Sequence, residues 1–185
     1  RSVLKEEIIK RGFKKALVVT DKGLVKTAIP SMITKVLDDA NLEYVMYDGV
    51  KPNPTVDNVK EGLKIAKENS CDYIIAVGGG STIDTAKAIS IIMRNEEHSD
   101  VVSLDGAVET KNKGLPLIAL PTTSGTAAEV TINYVITDPV RVKKMVCVDP
   151  HDIPILSIID SDLMKEMPQS VAASTGMDAL THAME

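Results

Sequence analysis

Short apolar runs alternate with longer amphipathic stretches along most of this chain, and that alternation restricts the fold more than any other feature. Lys15–Thr20 (KALVVT), Glu43–Tyr47 (EYVMY), Asp72–Val77 (DYIIAV) and Leu115–Leu120 (LPLIAL) have the length and apolar content of strands. Helical patterns fall around them. Ser2–Lys10 carries Val3, Leu4, Ile8 and Ile9 at helical spacing, and Ala28–Ala40 tolerates Pro30 because it lies in the first turn. Val56–Asn69 puts Val59, Leu63 and Ala66 on one face, and Ser81–Met93 follows the third strand. Such β–α alternation predicts an α/β fold, a parallel sheet with helices on both faces.

The pattern changes after residue 130. Ile132–Thr137 and Lys144–Val148 are strand-like and close enough to form a hairpin. Ile155–Ile159 (ILSII) is expected to be a further core strand, and from Ser161 to Glu185 the pattern is helical. The division expected is an α/β domain over residues 1–160 and the beginning of a truncated helical domain over 161–185. The apolar pattern reaches Glu185 with no cap or breaker after it, and Arg1 opens directly into a helical pattern, so a longer parent protein is expected.

Bulk properties narrow the function. The 185 residues suffice for one buried core, and the net charge of -5, with signs interspersed, lacks the basic stripe of a nucleic-acid protein. No apolar run approaches the roughly 20 residues of a membrane span. Cys71 and Cys147 form no Cys-x-x-Cys arrangement and are expected to be buried reduced thiols, as in a cytoplasmic protein.

Five places in the chain can carry chemistry. Gly78-Gly79-Gly80-Ser81 follows a core strand and opens a helix, the context in which backbone N–H groups meet a phosphate. The spacing is not G-x-G-x-x-G, and such a turn also serves as plain punctuation; Ser81 and Asp84 fit a capping box. Asp21 ends the first strand, where a carboxylate either bonds ribose hydroxyls and repels a 2′-phosphate, favouring NAD, or caps the next segment. Pro52-Asn53-Pro54 is a rigid turn that brings the Asn53 amide to the same edge or is punctuation alone. Pro121-Thr122-Thr123-Ser124-Gly125-Thr126 sets four hydroxyls after the fourth strand. They either bind a nucleotide or cap a short helix near Ala127. Asp178 and His182 lie four apart on a predicted helix and share a face. They can hold one divalent metal incompletely, or be a solvated pair. His98 sits in a polar loop, and His151, after Asp149-Pro150, can approach the cleft without being required there.

The segments KALVVTDK, YDGVKPNPT, DYIIAVGGGSTIDTAKA, PLIALPTTSGTAAEVTINYVITD, CVDPHDIP and STGMDALTHAME resemble the iron-containing alcohol dehydrogenase family, across nearly the whole chain. The resemblance implies a Rossmann-like, dehydroquinate synthase-like N-terminal α/β domain followed by an all-helical domain. It also implies an NAD-dependent reaction on a small alcohol or aldehyde and a homodimeric intact enzyme. Carried onto matching positions, Asp21 would bind the adenosine ribose, Asn53 would line the cleft, and Gly79, Gly80 and Ser81 would hold the pyrophosphate. Thr122, Thr123 and Thr126 would contact the nucleotide, Lys144 the nicotinamide-side ribose, and Asp84 would lie near the cofactor. Asp178 and His182 would be two of four ligands to ferrous iron, with zinc as the alternative ion. The family's other two ligands are histidines downstream of residue 185. No residue of this chain matches a general base.

Overall fold

The structure, a computed structural model, describes residues 1 and 3–185. Strands β1 (Lys15–Asp21), β2 (Glu43–Val50), β3 (Tyr73–Gly78), β5 (Leu117–Pro121) and β8 (Leu156–Ser157) form a parallel sheet in the order β2-β1-β3-β5-β8. A smaller sheet, β4-β7-β6, joins β4 (Gly106–Ala107) to the antiparallel hairpin of β6 (Asn133–Asp138) and β7 (Lys143–Val148). The helices are α1 (Leu4–Arg11), α2 (Ile29–Asp38), α3 (Val56–Glu68), α4 (Gly80–Arg94) and α5 (Gln169–Met184). The predicted helix over Ser2–Lys10 is α1; Ser2 lies outside the described residues.

The alternation of side chains along the central strands builds two cores, one on each face of the sheet. Leu17, Val19, Ile74, Ala76, Leu117 and Ala119 point to the side covered by α3 and α4. Their neighbours Ala16, Val18, Ile75, Val77, Ile118 and Leu120 pack on the side of α1 and α2, with Leu4, Ile8, Ile33 and Leu37. Every residue of β3 and β5 is buried. Each fully buried Leu or Ile contributes about 1.5–3 kcal/mol, so these strands dominate the sheet's stability.

Three sequence expectations change. Ile155–Ile159 is an edge, not a core strand: only Leu156 and Ser157 pair with β5, and Ile155 and Ile159 are 44% and 62% exposed. No strand lies beyond β8 among the described residues, so one side of that run meets no partner. The stretch from Ser161 is not one helix. A 3-10 turn over Ser161–Met164 ends before Pro168, and α5 starts at Gln169 because proline has no N–H to continue a helix. No helix forms at Ala127, which has a φ of 50° and heads a turn instead.

Candidate functional site

A parallel sheet collects ligands beyond the carboxyl ends of its strands, where the strand order reverses. Here β1 leads outward to β2 and the chain then returns to place β3 on the other side of β1, so the reversal lies between β1 and β3. A cleft of about 660 Å³ opens at that point, lined by Asp21, Gly79, Gly80, Ser81, Thr122, Thr123 and Thr126. Residue types chosen from the sequence as one site are thus brought together from the ends of β1, β3 and β5.

Asp21 caps the segment that follows it, one of the two functions the sequence left open, and also lines the cleft. Its Oδ1 accepts from Gly23 N at 2.7 Å and Leu24 N at 3.0 Å, closing the turn after β1. Its Oδ2 has no partner among the described residues, and the residue lines the cleft.

The glycine turn is a cradle. Thr82 N and Ile83 N donate to Gly79 O, while Gly80 N and Ser81 N have no acceptor among the described residues. They stand at the N-terminus of α4, whose dipole favours an anion. None of Gly78, Gly79 and Gly80 has a positive φ, so their identity is set by space. A Cβ on Gly79 would lie 3.0 Å from Thr123 Oγ1, and one on Gly80 would lie 3.1 Å from Thr126 Oγ1. The hydroxyl loop therefore leans on the turn, and Thr122 N donates to Gly78 O at 3.0 Å to fix it there.

The expected capping box at Ser81 and Asp84 is absent. The helix begins one residue earlier, with Gly79 as its cap, and Asp84 turns away from the cleft to accept from Val135 N at 3.1 Å. Burial is the main cause that pushes its carboxyl up to about 6. The reciprocal contact of such a box occurs instead at α3, where Thr55 N donates to Asn58 Oδ1 at 3.1 Å. Asn53 and Lys144 do not line the cleft but meet each other, Lys144 Nζ donating to Asn53 Oδ1 at 2.8 Å. With Thr137 N donating to Pro54 O at 2.7 Å, this contact ties the β6–β7 hairpin to the Pro52–Pro54 turn.

Asp178 and His182 share a face of α5, with His182 Nε2 3.7 Å from Asp178 Oδ1. Their helix docks on the hydroxyl loop. Ser124 Oγ and Thr175 Oγ1 are 3.2 Å apart, and Gly125, at φ +108°, passes so close that a Cβ would meet Asp178 Oδ2 at 2.6 Å. The pair therefore sits beside the cleft. A carboxylate and an imidazole suit a divalent ion. Among the described residues, however, no group of three or more His, Cys, Asp or Glu side chains could complete a metal site.

His151 does not approach the cleft. Its Nδ1 lies 3.5 Å from Asp149 Oδ1 and 3.3 Å from Thr110 Oγ1, and it lines a second hollow of about 750 Å³ with Lys113, Leu115 and Pro116. That hollow lies at the start of β5, the end of the sheet away from the cleft. His98 is half-buried, with Nδ1 2.9 Å from Ser103 Oγ. Cys71 and Cys147 are both buried free thiols, and burial raises Cys147 to about 12. Sequence reasoning missed Lys51, Glu166 and Val171, which also line the cleft. Lys51 lies within the YDGVKPNPT segment but stands out by no chemical pattern there, and Glu166 and Val171 lie outside every segment singled out; they arrive through the end of β2 and the fold-back of the chain into α5.

A glycine turn at a helix N-terminus, a carboxylate at the end of β1 and a carboxylate–imidazole pair are thus gathered around one cleft of an α/β sheet. Residues 1–161 match the family described as iron-containing alcohol dehydrogenase, and the chain belongs to that family. It is 54% identical over 182 residues to lactaldehyde reductase of Escherichia coli, covering 98% of this chain and 48% of that protein. A 1,3-propanediol oxidoreductase crystal structure matches with a TM-score of 0.94 and 42% identity, over 100% of this chain and 48% of that one. The sulfoacetaldehyde reductase of Bifidobacterium kashiwanohense, in complex with NAD+, matches with a TM-score of 0.90 and 31% identity, over 99% of this chain and 48% of that one. The chain thus spans about half the length of the relatives it matches. Among the described residues, no helix is long and apolar enough to cross a membrane.

Proposed function

We propose that this chain is the dinucleotide-binding part of an NAD-dependent, iron-dependent alcohol dehydrogenase, with lactaldehyde and 1,2-propanediol as its substrate pair. The observation that carries this reading is the cleft at the sheet's reversal point, where Gly80 and Ser81 offer free N–H groups and Asp21 a free carboxylate oxygen. The identity to lactaldehyde reductase supports the substrate pair, and the NAD+ complex of the sulfoacetaldehyde reductase supports the cofactor. The likeness to 1,3-propanediol oxidoreductase keeps a 1,3-diol substrate as the nearest alternative. The two buried free thiols fit a reducing cytoplasm.

The residues would divide the work as follows. The N-terminus of α4 would hold the pyrophosphate, Asp21 Oδ2 the adenosine ribose, and the hydroxyls of Thr122, Thr123 and Thr126 the rest of the nucleotide, fixing its reactive end toward α5. Lys144, already bonded to Asn53, would meet the nicotinamide-side ribose. Asp178 and His182 would supply one oxygen and one nitrogen to iron, or to zinc, which accepts the same donors. Once bound, the ion would supply Lewis acidity at the alcohol or aldehyde oxygen and the nicotinamide would carry the hydride. The incomplete donor set also favours a second reading of the chain taken by itself, as a nucleotide-binding module without turnover.

Fluorescence titration of NADH into the chain tests the cofactor reading, with saturable binding expected and its absence overturning it. Iron-loaded parent protein should reduce lactaldehyde faster than 3-hydroxypropanal with NADH. The reverse order would assign the 1,3-diol instead.

A further inference from the structure

Lys51 is the only cation among the described residues that line the cleft, where Asp21 and Glu166 are the carboxylates. Its ammonium makes no hydrogen bond or ion pair with any described residue, and no fold contact accounts for its presence. Its position across the sheet says which part of a ligand it faces. Val50, the residue before it, pairs directly with Asp21 across β1 and β2. The glycine turn ends β3, on the far side of β1. Neighbouring strands are about 4.8 Å apart, so Lys51 starts one strand from Asp21 and two strands from the pyrophosphate cradle. A dinucleotide with its pyrophosphate over β3 and its adenosine ribose over β1 would extend its adenosine end toward β2, the side on which Lys51 lines the cleft.

We propose that Lys51 sets the cofactor selectivity of the cleft: its ammonium seats a 2′-phosphate and so opposes the exclusion of NADP by Asp21. This rests on the dinucleotide reading given above. The carboxylate keeps NAD the preferred ligand, through ribose bonds and repulsion of the phosphate. The neighbouring ammonium makes the preference moderate, because both charges act on the same dianion at similar range. An ammonium over the pyrophosphate would strengthen both cofactors equally, whereas one beyond the ribose affects only the ligand with a 2′-phosphate.

The test is equilibrium binding of NADH and NADPH, followed by fluorescence, to the wild-type chain and to Lys51→Gln, Lys51→Glu and Asp21→Asn. Lys51→Gln should weaken NADPH by roughly threefold to tenfold and leave NADH within about twofold, with Lys51→Glu larger in the same direction. Asp21→Asn should strengthen NADPH. The NADPH effect of Lys51→Gln should shrink at high salt, since the group is exposed and screened. The side chain is exposed and unpaired, so unchanged thermal midpoints should accompany these results. Equal losses for both cofactors would assign Lys51 to the pyrophosphate and overturn the proposal, as would no change for either. If the wild-type chain binds neither nucleotide, the dinucleotide reading fails, and this inference with it.

Discussion

At the scale of single residues, the cleft uses small groups in tight places. Asp21 closes the turn after β1 through Oδ1 and lines the cleft, so its removal should act on the turn and on the proposed cofactor preference. Asp21→Gly should lower the NAD-over-NADP affinity ratio by roughly tenfold, because a carboxylate beside a phosphate is replaced by nothing. It should also loosen the turn at Gly23 and Leu24. Measured affinities for the two cofactors check the first effect, and an unchanged ratio would contradict it. Gly80 lies against Thr126 and lines the cleft, so a Cβ there would press on Thr126 or narrow the proposed phosphate cradle. Gly80→Val should cut dinucleotide affinity by about tenfold or more while the buried strands keep the fold. A folded variant that binds NADH normally would refute the cradle. The glycine turn, the hydroxyl loop and Asp21 were legible as one cleft because each directly follows a strand of the parallel sheet, at the carboxyl edge where clefts open. Asp84 was misplaced, since a Ser-x-x-Asp spacing does not say where the helix begins. Lys51 was invisible because its role comes from register between β1 and β2, not from spacing.

At the scale of elements, α4 joins the cleft to the hairpin behind it. Lys87 is fully buried on this helix, and its Nζ donates to Thr131 O at 2.5 Å and Asn133 O at 3.1 Å and lies 3.5 Å from Asp152 Oδ1. Replacing one partner of a buried charged cluster leaves the others unpaired, so Lys87→Met should destabilise the chain by about 3–5 kcal/mol, measured by denaturant unfolding. A loss below about 1 kcal/mol would show that the cluster is only loosely coupled. Burial raises Asp152 to about 7 and Asp84 to about 6, and it lowers Lys87. For Asp152, burial outweighs the ion pair, because its oxygens accept no hydrogen bond and the ammonium stands off at 3.5 Å. An acid with a raised folded pKa stabilises fully below its unfolded value and loses that contribution as pH rises through its folded value. Thermal stability should therefore decline from about pH 3.8 to about pH 7, and Asp152→Asn should flatten the slope. A wild-type midpoint that rises over this interval would show the pair ionised throughout. The helices and central strands were readable because their apolar periods are unambiguous. The ILSII run was not, because an apolar stretch of five looks the same at an edge as in a centre, and β4, with two residues, has no period to detect.

At the scale of the whole molecule, the α/β body and the metal pair differ in how well they are held. The body has two cores closed on both faces of the sheet. Helix α5 has no buried residue, and Met177, Leu180 and Met184 are 62%, 53% and 79% exposed. Its attachment to the body is the contact of Thr175 and Asp178 with Ser124 and Gly125, a footprint of small polar groups. A helix with so small a footprint is held only weakly by the body. Asp178 and His182 are themselves 43% and 60% exposed, so their mutual attraction is screened by water and does little to fix the helix. A stable iron or zinc site needs three or more protein ligands, and the described residues gather only this pair. Ferrous iron or zinc should accordingly bind this chain weakly, and bind the parent protein much more tightly, in calorimetric titrations run side by side. NADH binding to the chain should survive chelators, because the cradle at α4 owes nothing to the metal. Micromolar or tighter metal binding to the chain, abolished by His182→Ala, would mean that these residues complete a site without further donors, and the two-ligand reading of α5 would then be wrong.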